Sequence, residues 1–93
     1  MVTSATGDQH AAIERRLREI LKRDTAMPDP MLIARDEDLL TAGLSSLETV
    51  TVVLSIENEW SIRFDEASLS RQMFKSLGAL CTAVNERVGA RTA

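Results

Sequence analysis

Ser46, in the run Ala42-Gly43-Leu44-Ser45-Ser46-Leu47-Glu48-Thr49-Val50, is the residue of this chain best disposed to take a covalent group. Gly43 lets the backbone turn tightly, and the serine pair can cap a helix whose apolar residues begin at once with Leu47 and Val50. A hydroxyl at such a helix start is exposed and lies beside unsatisfied N–H groups and a partial positive charge. A phosphodiester formed on Ser46 is therefore favourably placed. Nucleophilic catalysis fits the same residues poorly. Gly43-Leu44-Ser45-Ser46-Leu47 lacks the second glycine of a nucleophile elbow, and the single histidine, His10, lies in the N-terminal region. One cysteine, Cys81, and one histidine make neither an internal disulfide nor a conventional zinc site. The bland account of Ser46 is an N-cap, the ordinary job of a serine before an apolar run.

The elements around the serine pair follow from apolar spacing. A first amphipathic helix is expected from Asp8 or Gln9 to Arg23, with Ile13, Leu17, Ile20 and Leu21 along one stripe. Pro28 and Pro30 end it. A long loop to about Ser45 follows, which Met31, Ile33, Leu39, Leu40 and Leu44 can pin across the bundle as an Ω-type or partly helical connection. A second helix is predicted over Ser46–Trp60, capped by Ser45 or Ser46, with Glu48 in its first turn. Leu47, Val50, Val53, Leu54 and Glu57 define one side of it, and Val52, Ile56 and Trp60 another. That is too much apolar surface for a single core stripe, so the helix is both central and open to a partner. Ile62 and Phe64 of an extended connector face inward, and a short third helix is expected near Glu66 to Ser70. A last helix is predicted from an N-cap at Ser76 to about Val88, stopped by Gly89 and followed by a frayed 90–93. Cys81 falls on its apolar face as an inert core residue. Trp60 reads as core, and Met27, Met31 and Met73 as gap-fillers around the loop ends.

With 93 residues the chain holds one domain, divided here into a flexible tail 1–8, a domain 9–89 and the frayed end. The N-terminal ten residues carry no apolar run that could serve as a signal peptide or membrane span, and unpaired cysteine suits a reducing, cytoplasmic setting. The net charge of −3 is unevenly spread: residues 24–60 carry eight acidic and one basic group, against three acidic and five basic in each flanking segment. Such an acidic middle disfavours nucleic acid and steers basic protein partners toward the serine.

Gly-Leu-Ser-Ser-Leu leading into the second helix, then Ile-Glu-Asn-Glu-Trp-Ser-Ile-Arg-Phe and a final helix, resembles the acyl carrier protein family over roughly residues 10–88. The resemblance implies an all-α, four-helix bundle with a long loop between helices 1 and 2 and a short third helix. It implies 4′-phosphopantetheine bound covalently to Ser46 by a phosphopantetheinyl transferase, with cargo held as a thioester on the arm. Leu47, Val50 and Leu54 match family positions on the recognition side of the second helix, and Glu48 and Glu57 match acidic positions that meet basic enzymes. Ser45 stands where the family usually has aspartate, and Thr51 and Asn58 stand where glutamate is common. Those departures favour a dedicated pathway over housekeeping fatty-acid synthesis.

A narrower likeness joins Ala-Gly-Leu-Ser-Ser with Ser-Arg-Gln-Met-Phe-Lys-Ser-Leu. It is similar to small stand-alone bacterial aminoacyl carrier proteins, which truncated seryl-tRNA synthetase-like ligases charge with amino acids. The partners implied are the transferase, an acyl- or aminoacyl-loading ligase and a downstream acyl or aminoacyl transferase, visited by a monomeric carrier that is not itself an enzyme. The competing expectation is a small helical interaction module that docks through its acidic second helix without a prosthetic group.

Overall fold

A computed structural model describes residues 5–64 and 71–92. Among them are three α-helices, α1 (Ala5–Asp24), α2 (Ser46–Trp60) and α3 (Leu77–Thr92), with one 3-10 turn at Arg71–Phe74 and no strand. The short third helix expected near Glu66 to Ser70 lies outside the described residues.

Apolar spacing explains how the helices pack. Ile13, Leu17, Ile20 and Leu21 of α1 are buried along the expected stripe and pack against both other helices. From α2 come Val52 and Ile56, from α3 Leu77, Leu80, Cys81 and Val84, and from the 3-10 turn Met73 and Phe74. Ile62 and Phe64 face inward as the alternating pattern required, and Trp60 packs partly buried against the same cluster. The Arg87 guanidinium lies 5.9 Å from the centre of the Phe64 ring, within cation–π reach.

Two helix limits depart from the sequence pattern. α1 begins at Ala5, so its first turn occupies positions assigned to a flexible tail. α3 is capped as expected, with Ala79 N–H donating to Ser76 Oγ at 3.0 Å, but it passes through Gly89 to Thr92. A glycine stops a helix when the chain turns left-handed there. Inside a helix it costs only about 1 kcal/mol relative to alanine, and here it is simply absorbed. The left-handed terminus belongs instead to Ser61, φ 55°, whose N–H donates back to the Glu57 carbonyl at the end of α2.

Residues 25–45 cross from α1 to α2 without regular structure, and polar bonds fix their course. The Arg18 guanidinium, held by Glu14, donates to the carbonyls of Pro30 (3.0 Å) and Ile33 (2.9 Å). Arg35 pairs with Glu14, while its carbonyl accepts from Gly78 N–H at the start of α3. Met27, Leu39 and Leu44 enter the core. Met31, read from the sequence as a gap-filler, is instead 42% exposed, and the neighbouring Leu32 is 81% exposed. The turn that carries them, closed by Leu32 N–H on the Asp29 carbonyl, points outward from Arg18's anchor.

Candidate functional site

Ser45, not Ser46, caps α2. Its extended backbone (φ −85°, ψ 162°) turns the hydroxyl so that Oγ accepts Glu48 N–H at 3.1 Å, and Glu48 Oε1 accepts Ser45 N–H at 3.0 Å. This reciprocal capping box is the pattern of a serine followed three residues later by glutamate. Ser46 is thereby relieved of the job that competed with attachment. It is the first residue of the helix, exposed, and its hydroxyl bonds to no described residue; only its carbonyl is engaged, by Thr49 Oγ1 at 2.6 Å.

Gly43 makes the approach to this corner possible. Its φ is +122°, and a Cβ there would stand 3.1 Å from Pro28 Cδ, so the turn before the serine pair needs a residue without a side chain. The other end of the loop is tied to the same corner, because Glu48 Oε2 accepts Ala26 N–H at 2.9 Å.

The face of α2 that continues from Ser46 is apolar and open. Leu47, Val50 and Leu54 are 82%, 58% and 61% exposed, and their spacing of three and four residues sets them in one row. Val52 and Ile56 face the core on the opposite side, with Val53 partly buried between them. This division accounts for a helix richer in apolar residues than one core stripe requires.

The acidic groups of α2 hold partners within the chain. Glu48 holds two backbone N–H groups, Glu57 Oε2 accepts Phe64 N–H at 2.9 Å, and Glu59 pairs with Arg16 of α1 at 2.8 Å. Hydrogen bonds from Ser45 and Ala26 lower the Glu48 pKa, and the Arg16 guanidinium lowers that of Glu59. Arg23 and Ser55 lower that of Asp24 in the same way. All three carboxylates are therefore ionised at neutral pH yet committed to partners within the chain. The sequence carried a signal for Glu48, the Ser-x-x-Glu spacing. It carried none for Glu57, whose acceptor role depends on how the chain reverses after Trp60.

Cys81 is fully buried, and that burial raises its thiol pKa, so it offers no thiolate at this surface. No group of three or more metal-ligating side chains occurs among the described residues. Nor is any of their helices long and apolar enough to cross a membrane.

The family model described as "Phosphopantetheine attachment site" matches residues 15–84, from α1 through most of α3. The chain belongs to this family of carrier proteins. Its share in the chemistry is to carry, not to catalyse, and the group the family carries its cargo on is phosphopantetheine. An exposed serine hydroxyl at a helix start, spared by its neighbour from capping, is the kind of acceptor that such a group requires.

The carrier domain is 40% identical over 65 residues to an aminoacyl carrier protein of Agrobacterium fabrum (strain C58 / ATCC 33970), covering 69% of this chain and 78% of that one. It is 35% identical over 49 residues to acyl carrier protein 1, chloroplastic, of Casuarina glauca, covering 53% of this chain and 36% of that one. Among solved structures it is similar to a chain in the crystal structure of an engineered Bradyrhizobium japonicum glycine:[carrier protein] ligase complexed with carrier protein from Agrobacterium tumefaciens and ATP. That match has a TM-score of 0.74 at 35% identity and covers 80% of this chain and 97% of the other. The corresponding complex with AMP matches with a TM-score of 0.72 at 36% identity, over 76% of this chain and 96% of the other.

Proposed function

We propose that this carrier bears 4′-phosphopantetheine on Ser46 and delivers an aminoacyl group, loaded as a thioester on the arm, to a dedicated pathway. The observation that carries the choice of residue is the division of labour between the two serines: Ser45 fills the cap, and Ser46 keeps a free, exposed hydroxyl. In the priming step the Ser46 oxygen forms a bond to the phosphorus of the phosphopantetheinyl half of coenzyme A. The pyrophosphate bond breaks, adenosine bisphosphate leaves with the electron pair, and the hydroxyl proton passes to a base supplied by the transferase. Once bound, the group supplies a mobile thiol at which cargo is held.

The aminoacyl reading is supported by the likeness to the Agrobacterium aminoacyl carrier protein and to the chain found with a glycine:[carrier protein] ligase. A ligase of that kind is the proposed loading enzyme, with a phosphopantetheinyl transferase before it and an aminoacyl transferase after it. Leu47, Val50 and Leu54 are the proposed docking row, a largely apolar surface for these enzymes. Glu48 and Glu57 frame that row by holding backbone at either end of the helix. The likeness in fold also supports a four-helix carrier bundle.

Intact mass before and after incubation with coenzyme A and a broad-specificity phosphopantetheinyl transferase tests the assignment. A gain of one phosphopantetheinyl group, absent in Ser46→Ala, is expected. A gain retained in Ser46→Ala would move the attachment point elsewhere. A folded protein that takes no group would leave a helical docking module as the better account.

A further inference from the structure

Among the described residues, Glu48 is the one side chain that ties both ends of the loop 25–45 to the start of α2. Oε1 closes the capping box on Ser45 N–H at 3.0 Å, and Oε2 reaches back 22 residues to Ala26 N–H at 2.9 Å. Beside it, Pro28 packs so closely on Gly43 that no Cβ fits between them without displacement. Segments 26–28 and 43–45, the backbone on which Ser46 stands, are thus joined by this carboxylate and this close contact in addition to the burial of Met27 and Leu44 in the core.

We propose that Glu48 is a positioning residue, which fixes the main chain presenting the Ser46 hydroxyl and so governs group transfer to Ser46 through geometry rather than by meeting a basic side chain of the enzyme. The proposal rests on Ser46 being the attachment point. Each carboxylate oxygen already accepts a backbone N–H, and an arginine that drew the group away would leave two donors without their acceptor. Glutamine at this position has one acceptor oxygen and sets an NH2 against the second donor, so it keeps one bond. Alanine keeps neither.

Steady-state transfer from coenzyme A by the same transferase, at low and at high salt, compares the wild type with Glu48→Gln and Glu48→Ala. Ile56→Val, a core change, is the control for loss of stability. Misplacing a nucleophile lowers turnover, whereas losing a rim charge slows encounter and flattens salt dependence. Glu48→Ala is expected to lower kcat about tenfold with KM within about twofold, Glu48→Gln to fall between, and the salt dependence of kcat/KM to match the wild type. Ile56→Val is expected to lose Tm without losing kcat. A raised KM with kcat retained and a flatter salt dependence, equal in the two variants, would identify Glu48 as an enzyme contact and overturn the proposal. Unchanged kinetics in both variants would overturn it as well. If Glu48→Ala fails to fold, Glu48→Gln carries the comparison. Modification that persists in Ser46→Ala would instead sink the attachment reading, a result that the Glu48 variants cannot mimic.

Discussion

Ser45 and Ser46 are adjacent, chemically identical and differently employed. A cap contributes typically about 1 kcal/mol, whereas an exposed first-turn hydroxyl without a partner contributes close to nothing. Ser45→Ala is therefore expected to lower Tm by about 4–8 °C and Ser46→Ala to shift it by no more than about 2–4 °C, read by thermal melts followed by circular dichroism. Equal losses in the two variants would return the capping role to Ser46. Acid acts on the same corner. Backbone bonds from Ser45 and Ala26 depress Glu48, and ion pairs depress Asp24 and Glu59. A carboxylate with a lowered folded pKa stabilises the fold above its unfolded value and loses that contribution as pH falls through the folded one. Stability should thus hold from neutral pH down to the ordinary carboxylate range, about pH 4, and decline below it. Melts of Glu48→Gln between neutral pH and about pH 3 should show a shallower acid decline than the wild type. An identical decline would remove Glu48 from the account.

At the level of the helix, α2 divides its apolar residues between two purposes. Ile56→Ala removes a fully buried side chain and should cost about 2–5 kcal/mol, while Leu54→Ala, on the open row, should stay within about 0.5 kcal/mol. Urea denaturation measures both, and a Leu54→Ala loss as large as that of Ile56→Ala would mean that the row is packed rather than displayed. Much of this helix was legible in the sequence. Its limits, its acidic first turn and the surplus of apolar side chains follow from periodicity and from the Ser-x-x-Glu spacing. Which serine caps was not, because Ser45 and Ser46 carry the same side chain and only the backbone angle at the helix start separates them. Gly89 misled in α3, since an exposed glycine marks a helix end only when the chain needs a left-handed turn there. Ser61 makes such a turn at the end of α2 with no glycine to announce it. The inward commitment of Glu57 was invisible as well, because it arises when the chain folds back and sets Phe64 N–H against it.

Over the whole molecule, the irregular crossing from α1 to α2 is held by a few charged side chains rather than by secondary structure. Arg18 is the principal one, joining Glu14 to the carbonyls of Pro30 and Ile33. Arg18→Met keeps much of the stem and removes the donors, leaving the two carbonyls without theirs and Glu14 with Arg35 alone. Hydrogen exchange followed by mass spectrometry should then show faster exchange at Leu32, whose N–H closes the turn on Asp29, with α2 and α3 protected as before. Unchanged exchange at that turn would show that the apolar anchors Met27, Leu39 and Leu44 suffice to hold the loop.

The burial of Cys81 has an analytical and a chemical consequence. The sequence contains no other cysteine, and this one is inaccessible in the native fold. After priming, the only sulfhydryl open to solvent would be the one at the tip of the arm. A maleimide or disulfide reagent applied under native conditions would then count primed molecules directly. Cargo could not migrate from the arm to a neighbouring cysteine, which keeps the activated acyl group on the sulfur from which it is to be collected.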